Sequence, residues 1–150
     1  KKYAVIFDID GTLADLTHRL HLVENGKRQW DLFFKRIPND TPIKPIVDLA
    51  SVLIRSNEKA ILFVTGRPER TRIDTVTWLL KQELKVDFET CLFMRKDGDR
   101  REDRVVKREI LNHIQNAGFE PVLVFDDRQS IVKMWRQQGI CVAQTALRNF

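Results

Sequence analysis

A chain of 150 residues with 43% hydrophobic and 31% charged side chains has the balance of a folded globular protein, which excludes disordered and fibrous classes. Two cysteines without metal-ligand spacing exclude a disulfide framework, and apolar runs as short as Ala4 to Phe7 exclude a bilayer span, so the expectation is a cytoplasmic protein with no membrane partner. Lys and Arg outnumber Asp and Glu by 26 to 21, a net charge of +5 that suits a polyanionic or phosphorylated partner and equally a surface kept soluble by charge.

The first apolar run, Tyr3 to Phe7, predicts a buried strand. Residues 16–45 then break the rhythm, and their His18, Arg19, His21, Trp30, Phe33 and Phe34 read as a small helical insertion that either packs on the sheet edge or forms a lid. Helical period returns with Ile46, Leu49, Ala50, Leu53 and Ile54, followed by a strand at Ala60 to Val64. A helix entered near Pro68 carries Ile73, Val76, Leu79 and Leu80 on one face, and a short strand is expected around Cys91 to Met94. Val106, Ile110, Leu111 and Ile114 mark a helix closed by Gly118; Val122 to Phe125 mark a strand; Ile131, Val132 and Trp135 mark a helix closed by Gly139; Ile140 to Ala143 mark a last strand. Near-continuous apolar strands alternating with helices predict an α/β chain of one domain over residues 1–150, its central parallel sheet flanked by helices. No repeat, low-complexity tract or Gly/Ser linker divides it.

In such sheets ligands bind beyond the carboxyl ends of the strands. There the sequence reads Asp8-Ile9-Asp10-Gly11-Thr12-Leu13, Thr65-Gly66-Arg67 and Asp126-Asp127-Arg128. Asp8 and Asp10, two apart as the chain leaves a strand, send their side chains to one side while Gly11 permits a sharp turn. Carboxylates held so close need a cation, and hard oxygen donors with Asp126 and Asp127 opposite suit Mg²⁺ rather than zinc. An EF-hand is excluded, because Leu13 and Arg19 stand where its Gly and Glu would be. His18, His21 and His113 have no evident catalytic partners, Trp78 and Trp135 fall at core spacing, and Trp30 is unassigned.

These motifs, with the helix-borne Lys107, resemble the haloacid dehalogenase (HAD) superfamily of phosphotransferases. The run from Met94 to Lys107, and Asp126-Asp127-Arg128 followed by Val132-Lys-Met-Trp135, are similar to the 3′-phosphatase domains of polynucleotide kinase-phosphatases over essentially the whole chain. The resemblance implies a Rossmann-like HAD fold and a Mg²⁺-dependent removal of 3′-phosphate from DNA or RNA ends through an aspartyl-phosphate. It implies Asp8 as nucleophile and Asp10 as general acid and then base. The Mg²⁺ ligands would be Asp8, the Asp10 carbonyl and the Asp126/Asp127 pair, with Asp127 preferred as the direct one. Thr65 and Lys107 would contact the phosphoryl group. Asp103, one helical turn before Lys107, would orient the ammonium or a metal-bound water, unless it forms an ordinary surface ion pair. Arg19, Arg67 and Arg95 would contact the phosphate or the strand, with Gly66 and Arg128 completing the substrate set.

No Gly-x-x-x-x-Gly-Lys-Ser/Thr loop occurs, so no 5′-kinase activity is expected of these residues, and a kinase or ligase would be a separate domain or partner. Two other readings stay open: the same chemistry on a small phosphate such as a nucleotide or sugar phosphate, and a non-catalytic nucleic-acid-binding module. A closed lid over residues 16–45 would favour the first, and an open, Arg-lined groove would favour a polynucleotide end.

Overall fold

A computed structural model describes residues 2–86 and 92–149. Five parallel strands form the sheet: β1 (Lys2–Phe7), β4 (Ala60–Pro68), β5 (Leu92–Arg95), β6 (Phe119–Arg128) and β7 (Cys141–Arg148), in the order β5-β4-β1-β6-β7. The chain moves outward from β1 first on one side and then on the other, which makes β1 the switch point where a crevice opens. Register aligns Phe7 with Phe63 on β4 and with Phe125 on β6. Asp8, just past the end of β1, and Asp126, among the last paired residues of β6, therefore sit at one level of the sheet.

The sheet is buried on both faces, which is why its strands read as continuous apolar runs. Ala4, Ile6, Leu62, Val64 and Val124 pack against α5 (Asp103–Asn116) and α6 (Gln129–Gln137) through Val106, Ile110, Ile114, Val132 and Trp135. Val5, Phe7, Ile61 and Phe63 pack against α3 (Lys44–Ser56) and α4 (Arg72–Lys81) through Val47, Ala50, Val76, Trp78 and Leu79. Alternate residues of β1 thus serve opposite cores, the period-2 consequence of the pleat.

Residues 16–45 hold α1 (Thr17–Leu20), α2 (Trp30–Lys35) and a 3₁₀ turn (Ile37–Asn39). A two-stranded antiparallel pair, β2 (Ala14–Asp15) with β3 (Thr41–Pro42), closes the base of this insertion. That pair carries no sequence signal, being two residues long on each side. Among the described residues no helix is long and apolar enough to cross a membrane.

Several boundaries differ from the sequence pattern. Pro68 ends β4 in extended conformation, and a 3₁₀ turn, Glu69–Thr71, precedes α4. β6 begins at Phe119 and tolerates Pro121 in a central strand through a register shift beside Ala4, where the missing proline N–H would otherwise break the ladder. On α4, Ile73 and Leu80 are exposed, and the inward stripe is Thr75, Val76, Trp78 and Leu79. Trp78 sets that rotation by donating its indole N–H to the Asp40 carbonyl at 2.8 Å, so the helix faces the insertion as well as the sheet. On α3, Leu49 is more exposed than expected and Val47 takes its place inside. The short strand begins at Leu92, with Cys91 outside the described residues, and Cys141 is exposed.

Candidate active site

Asp8 follows β1 and is fixed there by its N–H, which donates to the Phe125 carbonyl at 3.0 Å. The chain then doubles back, with the N–H groups of Leu13 and Ala14 both donating to the Ile9 carbonyl at 2.9 Å. Gly11 sits in this turn at φ +85°, and a Cβ there would overlap the Asp127 carboxylate, so both backbone shape and close approach require glycine.

Asp8, Asp126 and Asp127 are almost fully buried, and each offers a carboxylate oxygen within 4.8 Å of the others. Lys107 is equally buried and donates its ammonium to Asp8 Oδ1 at 2.8 Å and Asp126 Oδ2 at 3.1 Å. Lys107 interrupts the apolar stripe of α5, a charged residue at core spacing, and this is why it lies inside. Thr12 bridges Asp8 and Asp127 through its hydroxyl, at 3.1 and 3.4 Å. Trp135 Nε1 donates to Asp126 at 3.4 Å, and Arg148 Nε lies 2.8 Å from Asp127 Oδ2. Burial, and then repulsion from Asp126, push the Asp8 carboxyl well above its ordinary pKa although Lys107 opposes the shift. Burial works against the Lys107 ammonium, but Asp126 and Asp8 outweigh it and hold the proton more tightly than usual. Three buried carboxylates facing the Lys107 ammonium and, at Asp127, the Arg148 guanidinium still form a cluster one positive charge short, and its all-oxygen donor set fits a hard divalent cation.

The Asp10 carboxylate is not brought into this triad. It turns to Arg67, whose Nη2 lies 2.5 Å from Asp10 Oδ1, and to Arg19 at 3.2 Å. Burial would raise the Asp10 pKa, but Arg67 and then Arg19 outweigh it and hold the carboxyl below its ordinary value. Both guanidiniums are buried, and both are gripped from behind by Asp40, with Arg19 Nε at 2.8 Å and Arg67 Nη2 at 3.0 Å. His18 Nε2 lies 2.7 Å from the same carboxylate. Asp40 lies in the insertion without a motif, and no spacing in the sequence ties it, His18 or Arg148 to the site or gives Thr12 a role beyond the turn.

A third cluster joins the remaining expected residues. Asp103 accepts from Arg95 and from Arg128, while Lys107 donates to Asp8 and Asp126, so Asp103 acts on the ammonium through space and not through a hydrogen bond. The two side chains share a helix face, but Lys107 reaches inward to the carboxylates of β1 and β6 while Asp103 stays at the helix start beside two guanidiniums. Arg95 also donates to the Gly66 carbonyl at 2.8 Å and to the Asp99 and Arg101 carbonyls, organising the loop that precedes α5. A Cβ on Gly66 would lie 2.5 Å from Asp103 Oδ1, so this glycine makes room for the carboxylate. Thr65 is buried, and its hydroxyl accepts the Arg67 N–H at 3.1 Å, which shapes the Thr-Gly-Arg turn.

Comparison with known proteins bears on this site. Residues 2–150 match the family described as the polynucleotide kinase PNKP phosphatase domain. A protein described as a bifunctional polynucleotide kinase/RNA ligase, from Autographa californica nuclear polyhedrosis virus, is 27% identical over 148 residues, which is 98% of this chain and 20% of that protein. Among solved structures, a chain of the Pnkp1/Rnl/Hen1 RNA repair complex superposes with a TM-score of 0.81 at 25% identity, over 99% of this chain and 44% of that one. A haloacid dehalogenase-like hydrolase from Streptococcus pneumoniae shares the fold, with a TM-score of 0.67 at 15% identity, over 94% of this chain and 83% of that one. The chain therefore spans a fifth of the viral relative and less than half of the repair-complex chain.

Proposed function

The chain belongs to the family of polynucleotide kinase PNKP phosphatase domains, with the fold of HAD hydrolases, and from that premise we propose that it removes 3′-phosphates from DNA or RNA ends. The observation that carries the reading is the buried set of Asp8, Asp126, Asp127 and Lys107 placed next to an Asp10 flanked by two arginines. A binding module would have no need of an uncompensated carboxylate beside an ammonium and a second carboxylate held by arginine.

Mg²⁺ fits the donor set, and Asp8, the Asp10 carbonyl, Asp127 and Asp126 would hold it. When bound it would supply the charge that lets a dianionic phosphate approach a carboxylate. Lys107 and Thr65 would add donors to the phosphoryl oxygens. Asp8 attacks phosphorus, forming an Oδ–P bond as the bond to the sugar 3′-oxygen breaks. Asp10 gives its proton to that departing oxygen. The negative charge of the bound phosphate offsets the positive charge of Arg67 and Arg19 and disfavours a second anion beside it, so Asp10 holds this proton more readily than in the free protein. In the second step Asp10 takes a proton from water, whose oxygen bonds to phosphorus as the Asp8 Oδ–P bond breaks, which regenerates the Asp8 carboxylate and releases inorganic phosphate.

Arg95 and Arg128 would meet the strand near the phosphate, with Asp103 positioning both. The reading places the domain in the cytoplasm, beside a kinase or ligase activity carried elsewhere in a longer chain or by a partner, as in the relatives named above.

The test is phosphate release with Mg²⁺ from a 3′-phosphorylated oligonucleotide, a 3′-mononucleotide and an aryl phosphate, with Asp8→Asn as control. Preference for the oligonucleotide with KM rising steeply with salt supports the reading. Equal turnover of all three supports a small-molecule phosphatase, and oligonucleotide binding without turnover supports a binding module.

A further inference from the structure

The exposed aromatic cluster on α2 is not used by the chemistry described so far. Phe33 is buried, yet its neighbour Trp30 is 46% exposed. Trp30 meets Phe33 edge to face at 5.6 Å between ring centroids and stacks on Phe34 at 5.9 Å. Burying Phe33 alone would anchor the helix, so the fold has no need of the outer indole.

Two guanidiniums tie these rings to the site. Arg19, which donates to Asp10, lies 4.2 Å over the Phe33 ring. Arg70, three residues beyond Arg67, lies 5.2 Å from the centre of Phe34. Beside the rings opens a cavity of about 330 Å³ lined by Asp31, Phe34, Lys35, Arg70, Thr71 and Asp74. Its chemistry is mixed: an aromatic face, two cations suited to a phosphodiester, and two carboxylates suited to exocyclic amino groups rather than to phosphate. The backbone of Arg70 is fixed by its main-chain N–H, which donates to Asp97 at 2.8 Å, and its guanidinium lies at the surface 3.3 Å from Asp31.

We propose that Trp30, Phe34 and Arg70 form a stacking site for the unpaired nucleobases immediately 5′ of the scissile 3′-phosphate. The inference rests on the phosphatase reading above and adds the strand's path: from Asp10, over the surface of the insertion that the buried Arg19 and Phe33 support from beneath, onto the exposed side of Trp30. Such a platform takes a single-stranded end, because a base can stack there only after leaving its partner. It also makes the insertion an open wall of the site rather than a closed lid.

The experiment compares the ratio of kcat/KM for a 3′-phosphorylated single-stranded oligonucleotide to that for an aryl phosphate in wild type, Trp30→Ala and Trp30→Phe. The expected result is a fall of about ten-fold or more in Trp30→Ala, carried by the oligonucleotide KM, with most of it recovered in Trp30→Phe. A ratio that stays at the wild-type value overturns the proposal, because a merely structural Trp30 would lower both activities together. Tryptophan fluorescence is the independent arm, titrated with an oligonucleotide ending in a 3′-hydroxyl. Quenching in wild type that is lost in Trp30→Phe, where only the buried Trp78 and Trp135 remain, supports the site. Unquenched wild type overturns it. Failure of wild type to hydrolyse any 3′-phosphorylated oligonucleotide overturns the phosphatase reading instead, and the fluorescence arm still decides whether single strands stack on Trp30.

Discussion

Arg67 and Asp40 face each other with no solvent between them: Arg67 Nη2 lies 3.0 Å from Asp40 Oδ2, and neither side chain is more than 1% exposed. The same Nη2 also donates to Asp10, and in Arg19 the Nη2 likewise reaches both carboxylates. Two carboxylates and two guanidiniums thus neutralise one another, with Asp40, Arg19 and Arg67 fully buried and Asp10 at the mouth of the cluster. Removing one member leaves charge buried without compensation, which costs about 3–5 kcal/mol where it has been measured. Asp40→Ala is therefore expected to lower unfolding free energy by about that amount, and Asp40→Asn by less, since the amide still accepts one hydrogen bond. Urea unfolding at constant m-value reads it, and a loss under about 1 kcal/mol in Asp40→Ala would show that the clamp is not structural.

Asp8 carries the opposite lesson. Burial and Asp126 raise its pKa in the folded protein above that of the unfolded chain, so the folded state binds the proton more tightly and stability falls as pH rises from the ordinary carboxylate range through the raised value. The penalty therefore grows as the pH is raised above the ordinary carboxylate range. Asp8→Asn removes it, and in a chelator the variant should melt a few degrees above wild type, the shift that about 1 kcal/mol produces at this chain length. Added Mg²⁺ should then raise the melting temperature of wild type more than that of the variant. Asp10 works in the other direction: Arg67 holds its pKa low against the effect of burial, so its contribution is present at neutral pH and is lost as pH drops below the ordinary carboxylate range. An Asp8→Asn protein no more stable than wild type without metal would contradict the charge imbalance described here.

Lys107 supplies the ammonium within the acidic triad, and Lys107→Met keeps its length while removing the charge. Three carboxylates would then face one another without it. The expected outcome is a fall in kcat of at least about 10²-fold, the scale of losing one oriented donor in a water-poor site, together with a lower melting temperature in chelator. Lys107→Arg should not restore the rate, because a planar fork cannot replace a compact charge reaching Asp8 at 2.8 Å and Asp126 at 3.1 Å. Single-turnover phosphate release separates this loss from any change in binding.

The sequence displayed the reaction centre more fully than its surroundings. Asp8, Lys107 and Asp126 were legible because each is a charged residue in or directly after an apolar run, a placement that only paired burial tolerates. The parallel, helix-flanked sheet was legible from the alternation of apolar strands and helices, whereas its order β5-β4-β1-β6-β7 is set by tertiary pairing that the alternation does not specify. Asp40 was not, because it sits in an irregular segment and meets Arg19 and Arg67 only through tertiary folding across more than twenty residues. The partners of Asp103 were hidden for a related reason: spacing on α5 pointed to Lys107, whereas β5 and β6 deliver Arg95 and Arg128 from the sheet. The face of α4 was misjudged because period alone does not reveal that Trp78 must reach the Asp40 carbonyl.

Gly66 offers a test of how tightly the rim arginines are held. Its backbone is not in the left-handed region, so a methyl group there meets no intrinsic strain; what it meets is Asp103 Oδ1 at 2.5 Å. Gly66→Ala should displace that carboxylate, loosening both Arg95 and Arg128, and raise the oligonucleotide KM several-fold. Asp103→Ala should have a similar effect by removing the shared acceptor. Because both changes act on one contact, the double variant should be little worse than either single one, a coupling of about 1 kcal/mol or more in a double-mutant cycle on kcat/KM. Additive losses would mean that Gly66 serves the phosphate loop through its backbone alone, independently of the carboxylate beside it.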